Sequence, residues 1–103
     1  MSYYDDMIDH FFCGLLNNRL EVEQFELYAR TGRNSLWTCK DGSKVRIGDM
    51  TNDHLENTIK MLEKHDPTHK ALAYLKYEKR YRIEYPSLLK AIKTMEDIVD
   101  EVF

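Results

Sequence analysis

Residues 36–62 read LWTCKDGSKVRIGDMTNDHLENTIKML, and this stretch decides the fold. Leu36-Trp37-Thr38-Cys39 is a short strand signal, rich in residues that suit a half-buried pleat. Asp41-Gly42 predicts a two-residue type I′ turn, in which both central positions take positive φ. Val45-Arg46-Ile47 alternates as the return strand, and Gly48 ends it. Thr51 or Asn52 then caps a helix that carries Leu55, Ile59 and Leu62 on one face. That helix should stop near Lys64-His65, ahead of Asp66-Pro67. The unit is a hairpin followed by a helix, ββα.

Upstream, Tyr4, Met7, Ile8, Phe11 and Phe12 recur at helical spacing. Gly14 and the Asn17-Asn18 pair suggest a break, although Leu15, Leu16 and Leu20 can carry the helix through. Residues 19–30 have helical content, and Thr31-Gly32 reads as a stop. Downstream, Asp66 and Pro67 open a helix with Leu72, Leu75 and Tyr74 facing inward up to about Ile83. Tyr85-Pro86 should break it, because proline lacks the N–H that the helix needs. Leu88, Leu89, Ile92, Met95, Ile98, Val99 and Val102 then form an amphipathic stripe, giving a C-terminal helical hairpin. The expected fold is α+β: one mostly helical domain over residues 1–103 with one small β-hairpin.

Size and composition narrow the classes. A chain of 103 residues with 43% apolar content is one domain, with an expected radius of gyration of about 13 Å. No apolar run approaches the roughly 18 residues of a membrane span, and Met1-Ser2-Tyr3-Tyr4-Asp5-Asp6 is acidic where a secretion signal is basic. The expectation is a soluble, intracellular protein. Two Cys cannot make the bridge framework of a small secreted scaffold, so two Cys and four His need another account.

Metal is one such account. His10 and Cys13 share one face of the first helix. Cys39 ends the first strand, and His54 opens the helix after the hairpin. Two thiolates and two imidazoles suit a closed, tetrahedral zinc site, and a small domain gains stability from such a staple. The alternative is that Cys13 packs as a small apolar residue, with Cys39 a strand thiol and His54 at the surface. His65 and His69 flank Pro67 and should not share a helical face. A His-Asn-His nuclease would need a base where Cys39 stands, and thiolate is a poor ligand for magnesium. No cysteine-hydrolase signature, phosphate loop or acid/base carboxylate pair is present. The reading is a binder, not an enzyme.

Charge is segregated along the chain. Residues 60–93 hold nine Lys/Arg and four Asp/Glu, in a protein of net charge −3. Within that segment Lys76, Lys79, Arg80 and Arg82 interleave with Tyr74, Tyr77 and Tyr81. Basic residues among aromatics suit nucleic-acid backbone and base stacking, so Tyr77, Lys79, Arg80 and Arg82 are candidate nucleic-acid or partner contacts. A solvated helix face with inward tyrosines accounts for the same pattern.

Trp37-Thr38-Cys39-Lys40-Asp41-Gly42, Ile47-Gly48-Asp49-Met50 and His54-Leu55-Glu56-Asn57 together resemble a motif of small phage and mobile-element proteins. They match its Trp-strand, Lys-Asp-Gly turn and Met-x-x-x-His-Leu-x-Asn helix over about a quarter of the chain. With size and acidity added, the chain resembles phage anti-CRISPR proteins that inhibit Cas9. The resemblance implies a monomer that binds an effector protein such as Cas9 in the cytoplasm of an infected bacterial host. Structural zinc at His10, Cys13, Cys39 and His54 would hold its fold. The alternative is a small phage module that binds nucleic acid through the basic-aromatic helix.

Overall fold

A computed structural model describes the backbone of residues 3–102 and the side chains of residues 14–101. The element order is α1 (Tyr3–Thr31), a 3-10 turn (Gly32–Asn34), β1 (Leu36–Thr38), β2 (Lys44–Arg46), a second 3-10 turn (Ile47–Asp49), α2 (Asn52–His65) and α3 (Lys70–Val102). The apolar face expected at Tyr4 to Phe12 lies outside the described side chains.

The hairpin and α2 follow the sequence closely. β1 and β2 pair antiparallel with Trp37 opposite Val45. The Thr51 hydroxyl accepts from the His54 backbone N–H at 3.1 Å and caps α2. The turn differs from expectation. Only Gly42 has positive φ, at 85°, and its N–H donates to the Cys39 carbonyl at 3.0 Å. Lys40 and Asp41 therefore form an ordinary turn, and Gly42 supplies the left-handed residue after it. The Asp41 carboxylate accepts from the Ser43 hydroxyl and N–H, which holds it below the usual carboxylate range.

Two boundaries expected from sequence do not hold, and α1, for which the sequence leaves a break at Gly14 and Asn17-Asn18 open, runs unbroken past both. α3 starts at Lys70 rather than at Pro67, after a turn in which the His69 N–H donates to the Asp66 carbonyl. His69 Nδ1 accepts from the Ala71 N–H at 3.0 Å and serves the first turn. Above all, α3 continues through Pro86 for 33 residues, so there is no C-terminal helical hairpin. An internal proline costs a helix about 3 kcal/mol. Here Tyr81, Tyr85, Leu88, Ile92, Met95 and Val99 keep a four-three spacing across the proline and stay at least half-buried toward α1. That seam outweighs the break, while Pro86 itself is exposed.

The α+β expectation is corrected accordingly. Among the described residues the architecture is three helices, and six strand residues make a hairpin too small to form a layer. One apolar cluster joins Ile47, Met50, Leu55, Ile59, Leu62, Leu72 and Leu75, with Trp37 and Val45 against it. These residues make a head from the hairpin, α2 and the start of α3. A second group, Val22, Phe25 and Tyr28 of α1, is buried against α3. Beyond it α1 and α3 continue as an antiparallel two-helix arm, with Gly14 beside Met95 and an Arg19–Glu96 ion pair. The molecule measures 62 × 23 × 20 Å, and its radius of gyration is 18.5 Å against the compact expectation of about 13 Å. No described helix is long and apolar enough to cross a membrane.

Candidate functional site

A polar hub lies where the head meets the arm. Glu78 is fully buried in α3. Its Oε1 accepts from the Tyr28 hydroxyl at 3.0 Å and from Arg33 Nε at 2.9 Å, and its Oε2 accepts from Arg82 Nε at 2.5 Å. The guanidiniums also donate to backbone carbonyls and to the Asn52 side chain. Arg33 donates to the Gly48 carbonyl at 3.1 Å, and Arg82 to the Ile47 carbonyl at 3.2 Å and to Asn52 Oδ1 at 2.8 Å. One carboxylate thus connects α1, both 3-10 turns, α2 and α3. A buried charge needs this degree of pairing to be tolerated. Gly32 lets the turn pass under Tyr28, since a Cβ there would lie 2.3 Å from the ring's Cδ2.

Burial first, and then the charge of Glu78, raise the Tyr28 phenol above its ordinary value. The native state therefore keeps a proton that the unfolded chain releases above about pH 10. The stabilisation is complete below that pH and is lost as pH rises past it. Tyr28→Phe should flatten the fall in stability above pH 10 in chemical-denaturation series. An unchanged alkaline slope would contradict this assignment.

The hub accounts for part of the predicted basic-aromatic surface. Arg82 is an internal strut, its side chain 19% exposed. Lys79 pairs with Glu56 of α2 at 2.9 Å, and Lys76 pairs with Glu63 at 3.3 Å. Arg80 grips Glu84 with two hydrogen bonds and lies 5.5 Å from the ring centroids of both Phe25 and Tyr77. Both carboxylates sit below their ordinary range through the hydrogen bond from their cation, Lys79 to Glu56 and Arg80 to Glu84. Tyr77 packs on Phe25 at 5.0 Å and on Tyr28 at 4.8 Å. Lys79, Arg80 and Arg82 are each committed to a carboxylate of the same chain.

The metal expectation is corrected. Among the described residues no group of three or more His, Cys, Asp or Glu could hold a metal ion. His10 and Cys13 lie outside the described side chains. Gly14, which follows Cys13, sits beside Met95, whereas Cys39 lies near Trp37, whose ring meets His69 just before α3. Cys39 and His54 do face one open cleft of about 370 Å³ with Trp37, Thr38, Lys40, Asn57, Thr58 and Met61. His65 and His69 fall on either side of the turn between α2 and α3.

The charge segregation takes a sharper form in the folded chain, and a second feature, the outward side of α1, joins it. The head, residues 32–83, holds eleven Lys/Arg against seven Asp/Glu, while the rest of the chain holds four against eleven. The molecule is therefore basic at one end and acidic along its arm. On α1, Leu16, Leu20 and Leu27 are 58%, 49% and 57% exposed. At 100° per residue they lie opposite Asn18, Val22 and Phe25, which face α3. Their four- and seven-residue spacing was the available signal. No family model, curated protein or solved structure matches the chain.

Proposed function

We propose that the protein acts as a non-enzymatic inhibitor that binds a nuclease effector of the Cas9 type through the outward side of α1. The observation that carries this reading is the exposed Leu16, Leu20 and Leu27 stripe with exposed Glu21, Glu23 and Glu26 along the same helix. An apolar centre with a charged rim is the anatomy of a protein interface, and exposed leucines at heptad spacing suit a facing groove or helix. The acidic rim complements the basic channels in which such effectors hold RNA and DNA. The resemblance of residues 37–57 to the phage motif supports the same target class. No metal enters this reading.

The test is Cas9 cleavage of a plasmid with excess protein, across several Cas9 orthologues. Cleavage should fall with the native chain and recover with a Leu20→Ser, Leu27→Ser double variant. Both positions are exposed, so the double variant should keep the native melting temperature to within a few degrees. Undiminished cleavage with the native chain in every orthologue would sink the proposal.

A further inference from the structure

We propose that the head binds single-stranded nucleic acid across Trp37, through a surface separate from both α1 and the Lys76–Arg82 segment. Five of the eleven head cations, Arg33, Lys76, Lys79, Arg80 and Arg82, are paired with carboxylates. Among the described residues the other six, Lys40, Lys44, Arg46, Lys60, Lys64 and Lys70, have no such partner; Lys40 and Lys70 line clefts walled by Trp37, and Lys44 and Arg46 lie on either side of its cross-strand partner Val45. Lys40 lines the cleft on one side of the indole, with Cys39, His54 and Asn57. Lys70 lines a second cleft of about 250 Å³ on the other side, with Leu36, Ala71 and Tyr74. Lys44 and Arg46 stand opposite Thr38 and Leu36 on the outer hairpin face, flanking the Trp37–Val45 pair. Leu36, Thr38, Lys44 and Arg46 share the outer face of the hairpin, because Trp37 and Val45 turn inward.

The partner's chemistry follows from the mix of groups. Unpaired cations a few residues apart match a chain of phosphates. Trp37 forms a wall of both clefts, and Tyr74 is half exposed, so each cleft has an aromatic beside a cation. Base stacking on such rings tolerates sequence and requires an unstacked base, which a single strand offers and a duplex does not. Asn57, exposed on the Lys40 side, can reach a base edge with both donor and acceptor. The strands are three residues long, too short to lay a ribbon along a major groove.

A fluorescein-labelled 20-nucleotide oligodeoxythymidylate, titrated by anisotropy over a salt series, tests the proposal. Each phosphate neutralised contributes about 0.7 to the slope of log K against log salt. Four contacts give a slope of about −2.8, and Lys44→Ala with Arg46→Ala should reduce it by about 1.4. Tyr74→Ala should weaken binding about 5- to 150-fold. Lys79→Ala and Arg80→Ala should leave binding unchanged, since those cations serve internal carboxylates. The proposal fails if the oligonucleotide does not bind at low salt. It also fails if the Lys79 and Arg80 variants lose binding while the hairpin variant keeps it, or if polyglutamate competes as well as unlabelled oligonucleotide. It does not depend on the Cas9 assay, and neither result decides the other.

Discussion

Replacing Glu78 with alanine should lower folding stability by about 3–5 kcal/mol, the range for removing one partner of a buried ion pair. The carboxylate has no exposure, and it receives hydrogen bonds from Tyr28, Arg33 and Arg82. Without it two guanidiniums face each other with no counter-charge, and the Tyr28 hydroxyl loses its acceptor at 3.0 Å. For a domain of this size each kcal/mol moves the melting temperature by roughly 4–8 °C, so the drop should exceed about 12 °C. Glu78→Gln keeps a neutral oxygen as acceptor for Tyr28 and Arg33 but turns its NH2, a donor, toward Arg82, and should fall between. Glu84→Ala is the control. It breaks the Arg80 ion pair on the same helix at a largely exposed site, where such pairs contribute about 1 kcal/mol or less. Equal melting shifts for the Glu78→Ala and Glu84→Ala variants would show that the hub does not hold the helices together.

The hub also explains why the candidate contacts looked different in sequence. Lys76 to Arg82 reads as a basic-aromatic run because its carboxylate partners, Glu56 and Glu63, are more than a dozen residues away in α2. Their ion pairs with Lys79 and Lys76 exist only once α2 folds back on α3. Glu78 itself sits at a core position of the helix, where the pattern asks for an apolar residue. Only the arrival of Arg33 from one turn and Arg82 from the next helical turn makes a charge tolerable there. Local chemistry was legible: the strand pair, the Thr51 cap, the α2 core face of Leu55, Ile59 and Leu62, and Leu72 and Leu75 in α3. Breaks set against long-range packing were not. Pro86 and Gly14 carry the ordinary signals of a helix end, and the seam between α1 and α3 overrides both. The zinc reading joined His10 and Cys13 of the first helix to Cys39 and His54; among the described residues Cys39 and His54 share a cleft, and no third His, Cys, Asp or Glu joins them. Tyr74, expected inside, is 50% exposed because α2 covers only one side of the first part of α3 and leaves this flank bare.

The rod shape puts unusual weight on one side chain of α1. Phe25 is 1% exposed and meets Tyr77, Tyr81 and Tyr85 with ring centroids 5.0, 6.0 and 6.3 Å away. Arg80 covers it from the solvent side. Head and arm join at this cluster, and α2 does not reach past Arg82 to support the joint. Phe25→Ala should therefore cost about 3–5 kcal/mol, as for other buried phenylalanines, through lost burial and a cavity that three fixed rings and a guanidinium cannot close. Leu27→Ala, two residues away on the exposed side, should change stability by no more than about 0.5 kcal/mol. The location of the damage distinguishes a joint from an ordinary core position. Hydrogen exchange in Phe25→Ala should rise first in α3 after Pro86, where the two-helix arm has no third element behind it, while Leu55 to Leu62 keep their protection. Uniform loss of protection across α2 and the arm would mean that the head and arm unfold as one unit and that Phe25 is not their hinge of stability.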